Sequence, residues 1–190
     1  MDQNTTHPDR EALLTRAASF LSQVKDLTAG TEVEQMLNRH YGPESELYQT
    51  LARLVKQGVE DGWAANVALD GPIYRRSRIA EPSERTHYFS ITAVYMDSRG
   101  NQQGNPGGAY RGQYHAHPYG ELNMVIPLNP GAELNGPNGW CGAGWTAPAP
   151  GSHHYPEARG GAVIALFFLP AGRIAYHRAP DDQQHDHATS

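Results

Sequence analysis

The sequence predicts a mainly β fold, an antiparallel β-barrel entered through a group of about three α-helices. Three observations carry this. Apolar residues recur at three-and-four spacing as far as Asp61. After Gly62 the period drops to two, in segments rich in aromatic and β-branched residues. Glycine and proline concentrate after Gly100, where they punctuate short strands with no helical segment between them.

In the first helical segment, Asp9 to Leu27, the residues Leu13, Ala17, Phe20, Leu21, Val24 and Leu27 share one face, and Gly30 stands where a left-handed C-terminal cap would sit. Thr31 and Glu34 have capping-box spacing, in which each side chain satisfies a free backbone N–H; Val33, Met36, Leu37 and Tyr41 follow, and Gly42-Pro43 stops the helix. Leu47, Leu51, Leu54, Val55 and Val59 mark a third helix to about Asp61. Strands are then expected over Ile73 to Ile79, His87 to Tyr95, from Tyr110, and over Glu121 to Leu128, Gly144 to Ala147, Ala162 to Leu169 and Arg173 to His177. Arg99 to Gly108 has no apolar spacing and reads as a loop. The expected organisation is a helical segment, 1–62, packed on a barrel, 63–179, with a polar, disordered tail, 180–190, whose His185 and His187 are chance surface histidines.

A net charge of −5 with neutral histidines offers no basic field for phosphates, so nucleic acid is not an expected partner. The longest apolar run, Ala162 to Leu169, is far short of the roughly 18 residues of a membrane span. Cys141 is the single cysteine, and Met1 to Arg10 lacks the layout of an export signal; both point to the cytosol. Cys141 also lacks the basic neighbour of a nucleophilic thiolate. No Gly-x-Gly-x-x-Gly follows a strand, and there is no Walker loop.

The chemistry concentrates in Tyr114-His115-Ala116-His117-Pro118-Tyr119-Gly120-Glu121. Histidines two apart on a strand point to one face, and the Pro118-Tyr119-Gly120 turn can return Glu121 beside them. Two imidazoles and a carboxylate make a first shell for a divalent ion. Pro150-Gly151-Ser152-His153-His154 offers a further imidazole from a turn. On the strand Ile73 to Ile79, Arg75 faces opposite to Arg76 and Arg78, so at least one arginine can project inward, where it needs an anion. The alternative is a solvated face pairing with Glu81 and Glu84. Arg111 carries the same ambiguity. Tyr88, Tyr110, Tyr114 and Tyr119 can stack on a planar ligand or pass a proton, or be edge and core tyrosines. Leu166, Phe167 and Phe168 read as core rather than substrate wall.

From Arg111 to Leu169 the sequence resembles the cupins, jelly-roll barrels with a His-x-His, a Glu three or four residues on, and a Pro- and Gly-containing turn with a last His. The resemblance maps His115, His117 and Glu121 onto the first motif and His154 onto the last ligand, with His153 the alternative. Two departures are the late glycine, Gly131, and Ala158 where many cupins have Asn.

The helical start, the Tyr-Arg-Arg-Ser-Arg strand and the run Gly107 to Asn123 are similar to the 4-hydroxylaminobenzoate lyases of nitrobenzoate breakdown. The resemblance implies conversion of 4-hydroxylaminobenzoate and water to 3,4-dihydroxybenzoate and ammonia. It implies a divalent metal (Fe, Zn, Mn, Ni or Co) on His115, His117, Glu121 and His154. Tyr114 or Tyr119 is expected to handle the proton beside Glu121, and Arg76, Arg78 or Arg111, with Tyr88, to bind a small aromatic carboxylate. Cupins commonly pair through barrel edges, which implies a homodimer. The rival readings are another metal cupin enzyme, such as an aromatic dioxygenase, and a non-catalytic cupin binding a small aromatic acid.

Overall fold

The computed structural model describes residues 7–100 and 108–176. The expected tail, His177 and most of the loop before Gly108 lie outside the described residues.

Three helices come first: α1 (Pro8–Val24), α2 (Thr31–His40) and α3 (Glu46–Asp61). Pro8, with its fixed φ and no N–H, suits the first turn of α1, and Leu13, Ala17, Phe20, Leu21 and Val24 are buried along one face. Leu27 lies beyond the helix and is 43% exposed, so the apolar stripe stops one turn early. The expected cap and capping box do not form. Gly30 precedes α2 as its N-cap residue, Thr31 is already helical, and no side chain caps that end. Glu34 instead accepts the Ala147 backbone N–H at 3.2 Å and a hydrogen bond from Asn138, so it ties the helix to the barrel. Ser45 Oγ caps α3 by accepting the Tyr48 N–H, and Gly62 at φ 86° closes it in the left-handed conformation.

Twelve strands follow among the described residues: β1 (Val67–Asp70), β2 (Tyr74–Ala80), β3 (Phe89–Asp97), β4 (Tyr110–Arg111), β5 (His115–His117), β6 (Leu122–Pro127), β7 (Glu133–Gly136), β8 (Gly139–Cys141), β9 (Gly144–Thr146), β10 (Ser152–His154), β11 (Glu157–Arg159) and β12 (Ala162–Pro170). They form a six-stranded sheet, β1-β2-β3-β12-β6-β9, a four-stranded sheet, β4-β11-β7-β8, and the ribbon β5-β10, antiparallel throughout. This is a cupin-type jelly-roll barrel. His87 and Tyr88 are not strand residues: both have positive φ, in a turn where the Tyr88 N–H donates to Ser83 O at 2.8 Å. The expected strand at Arg173 reduces to one bridge, Ala116 to Ala175.

The large sheet has two faces, as period two requires. Ile164, Leu166 and Phe168 of β12, with Ile91 of β3 and Met124 of β6, join the core beneath the helices. Val163, Ala165 and Phe167, with Val94, Met96 and Val125, face the barrel interior. At the sheet edge, Asn38 of α2 bonds Trp145 twice, accepting its N–H at 2.9 Å and donating to its carbonyl at 3.0 Å. The helix thereby pairs with β9 much as another strand would. Among the described residues, no helix is long and apolar enough to cross a membrane.

Candidate functional site

Strand alternation places His115 and His117 on the interior face of β5, on either side of Ala116. Antiparallel pairing sets His154 of β10 against His115 and Ser152 against His117. His153 is registered to Ala116, so it points away, and its ring hydrogen-bonds Tyr114 on that outer side. Of the two candidate last ligands, His154 therefore faces the pair. The chain reverses at Gly120, whose φ of 75° and whose neighbours, Ala29 Cβ and Pro148 O at 2.9 Å from any added Cβ, leave room only for glycine. The next N–H, of Glu121, donates to Pro148 O at 3.1 Å, which fixes the carboxylate under the two imidazoles.

His115, His117, Glu121 and His154 each offer a ligand atom, all within 4.8 Å of one another. His115 Nδ1 lies 3.0 Å from Gln113 O, an acceptor only, so Nδ1 carries the proton and Nε2 the lone pair. Ser152 Oγ donates to Ala149 O at 2.6 Å, so it is an acceptor for His117 Nδ1 at 3.0 Å, and the same tautomer follows. Glu121 Oε1 accepts from Asn123 Nδ2 at 2.7 Å and lies 3.1 Å from His117 Nε2. His115 Nε2, His117 Nε2 and Glu121 Oε2 are buried without a hydrogen-bond partner. Such orphaned acceptors around one point are costly unless a cation satisfies them, and three imidazoles with a carboxylate suit a divalent ion.

Electrostatics agrees. Burial depresses the His115 imidazole below its ordinary range and pushes His154 down to about 4, with His115 adding to the effect there. Both are neutral near pH 7 and able to ligate. Burial alone would raise Glu121, but whenever His117 and then His115 beside it are protonated, and with Asn123 donating to it, the carboxyl is held below its ordinary value.

A cavity of about 350 Å³ opens beside His115, with Arg76, Arg78, Thr92, Phe167 and Tyr176 in its wall. Arg76 lies 4.5 Å over the Tyr176 ring, and among the described residues no carboxylate pairs with it. Arg78 is bound to Glu81 at 2.7 Å and to Gly172 O at 2.6 Å. Phe167 is buried in the apolar cluster of the barrel interior, as expected of core, and also lines the cavity, whereas Leu166 and Phe168 belong to the core beneath the helices.

Other expected residues lie elsewhere. Arg111 is 3.7 Å from Glu157 and stacks on Tyr155, outside the cavity wall. Tyr114 faces outward with His153. Tyr88 and Tyr119, 61% and 53% exposed, line a separate surface depression. Tyr110 donates to Asp70 at 2.8 Å. Burial pushes the Cys141 thiol up to about 11. Sequence reasoning overlooked Asn123, Ser152 and Tyr176. The first two were within reach of the same rule that paired the histidines, since each lies two residues along a strand from a ligand.

The chain is similar to known proteins over most of its length. The family model PnbB: 4-hydroxylaminobenzoate lyase matches residues 15–176. A protein of Nocardioides sp. (strain LMS-CY) named 4-hydroxylaminobenzoate lyase is 64% identical over 168 residues, 88% of this chain and 95% of the relative. One of the same name from Pseudomonas putida is 61% identical over 167 residues, 88% and 95% of the two chains. Among solved structures, the DMSP lyase DddQ of Ruegeria pomeroyi is 13% identical with a TM-score of 0.39, covering 92% of this chain and 94% of that one. By the extent of the family match and the identity to its curated members, this chain belongs to the 4-hydroxylaminobenzoate lyase family.

Proposed function

We propose that the chain converts 4-hydroxylaminobenzoate and water to 3,4-dihydroxybenzoate and ammonia. The observation that carries this reading is one cavity joining an unneutralised arginine, Arg76, to the four-ligand cluster at His115. The names of the curated relatives support the same substrate.

The reaction balances without an external oxidant or reductant. The N–O bond breaks with its electron pair leaving on oxygen, which departs as water once protonated. One water adds to the adjacent ring carbon, which supplies the two electrons, and a second hydrolyses the resulting C=N bond to release ammonia. His115, His117, Glu121 and His154 would hold a divalent ion, which when bound supplies Lewis acidity toward oxygen or activates water.

The remaining tasks fall to the chain's own side chains. Arg76 pairs with the substrate carboxylate and orients the ring; its guanidinium is available because, unlike Arg78, it has no acidic partner among the described residues. Phe167 and Thr92 line the cavity in which the ring would lie. Asn123 and Ser152 keep Glu121 and His117 in their ligating orientations. Tyr114 and Tyr119 face away from the cavity, and the reading gives them no part.

The test is elemental analysis of the purified protein, followed by incubation with 4-hydroxylaminobenzoate in an oxygen electrode. Equimolar catechol and ammonia without oxygen uptake is the expected result. Oxygen consumption would point to a dioxygenase, and ligand binding without product to a non-catalytic binder.

A further inference from the structure

The segment that follows β12 makes one backbone tie to the ligand strand. The Ala116 N–H donates to Ala175 O at 2.7 Å, and the Ala175 N–H returns a bond to Ala116 O at 3.0 Å. In an antiparallel bridge centred on these alanines, Tyr176 falls opposite His115 and Ile174 opposite His117, on the face that carries the ligands. The side chains confirm the register: the Tyr176 and His115 ring centroids are 6.0 Å apart at 66°, and both Ile174 and Tyr176 line the cavity. From the other side, β2 brings the Arg76 guanidinium to 4.5 Å over the same phenol ring. One ring thus touches both the cation and a ligand imidazole. The Tyr176 hydroxyl has no hydrogen-bond partner among the described residues, so the ring face, and not the oxygen, makes these contacts.

We infer that Tyr176 is a positioning residue, which holds Arg76 over its ring so that a substrate carboxylate meets a guanidinium already in place. The inference rests on the proposed use of Arg76 as the carboxylate clamp. An arginine reaching into a cavity has many rotamers, and ordering it at the moment of binding weakens the complex. Stacking on an aromatic face removes much of that freedom beforehand.

The experiment measures binding of 4-aminobenzoate and of its methyl ester to the metal-loaded protein by calorimetry, for wild type, Tyr176→Phe, Tyr176→Leu, Arg76→Met and the Arg76→Met/Tyr176→Leu pair. Melting temperatures verify folding. Tyr176→Leu is expected to weaken binding of the acid about tenfold and of the ester less than about threefold. Tyr176→Phe, which keeps the ring, stays within about threefold of wild type, and in the Arg76→Met background the leucine adds less than about twofold. Equal losses for acid and ester, or a phenylalanine as damaging as the leucine, would overturn the assignment. The two readings fail separately. A wild type that shows this binding pattern but releases no ammonia from 4-hydroxylaminobenzoate loses its proposed reaction and keeps the role of Tyr176. A wild type that releases ammonia but shows no Tyr176 effect loses only the latter.

Discussion

Ser152 shows how a residue outside the ligand set decides what a ligand can do. Its hydroxyl hydrogen is committed to Ala149 O, so it can only accept from His117, and that forces the proton onto Nδ1. Replacing it by alanine removes the acceptor and lets the imidazole turn or change tautomer. Ser152→Ala is therefore expected to lower metal affinity by about 10- to 100-fold while leaving the melting temperature of the metal-free protein nearly unchanged. Competition against a chromophoric chelator measures this, and unchanged affinity would show that β10 alone fixes the ring. Arg76 and Arg78 make the complementary point. They lie two apart on β2 and both reach the cavity, yet Glu81 and Gly172 O occupy Arg78. Their difference lies in their partners and not in their spacing, so it was not legible in the Tyr-Arg-Arg-Ser-Arg run.

At the scale of elements, α2 is a side wall of the barrel. Asn38 satisfies both the N–H and the carbonyl of Trp145, and Tyr41 O accepts the Trp145 indole N–H at 2.7 Å. Asn38→Ala strands two backbone groups at the β9 edge, and the expected cost is about 2 to 4 kcal/mol of unfolding free energy by urea titration. A loss below about 0.5 kcal/mol would mean that water replaces the side chain freely. The long elements were legible in the sequence because the signal accumulates with length: the faces of α1 and α3, the aromatic and β-branched residues of β3 and the unbroken apolar run of β12 could be read directly. The short ones were not. Glu133–Gly136 and Gly139–Cys141 carry glycine in strands of four and three residues, too brief for an alternation to declare itself. The Thr31 capping box failed for a different reason: Glu34 found a tertiary partner in β9's neighbour Ala147, and a long-range contact displaced a local one.

For the whole molecule, the cluster of His115, His117, Glu121 and His154 is a store of destabilising acceptors, and stability should follow their protonation and ligation. The imidazoles of His115 and His154 are held below the ordinary 6.5, His154 at about 4. Between those values the unfolded chain takes up protons that the folded chain refuses, so folded stability declines as pH falls from about 6.5 towards 4. Glu121 acts in the same direction. Its folded value lies below 4.5, and the stability it contributes above that pH is lost as pH falls through the folded value. The melting temperature of chelator-treated protein is expected to fall steadily over this window, and a divalent ion added near neutral pH to raise it with concentration. A flat or inverted pH profile in calorimetry would contradict the buried, neutral imidazoles. Of the centre itself, His115, His117 and Glu121 were legible because seven consecutive residues contain the whole geometry. His154 needed a motif to connect it, and Tyr176 could not be connected at all, since only the Ala116–Ala175 bridge relates it to His115.

That bridge has a bearing on biogenesis. The strand holding two of the ligands borrows both its neighbours from further along the polypeptide, one at residues 152–154 and the other at residue 175. A nascent chain that has just delivered the first three ligands to the cytosol-facing end of the ribosomal tunnel offers an open, incompletely walled shell, from which an ion escapes readily. Both neighbours are in place only about 54 residues after Glu121, so tight retention of a cation would coincide with the last steps of chain closure rather than guide the first.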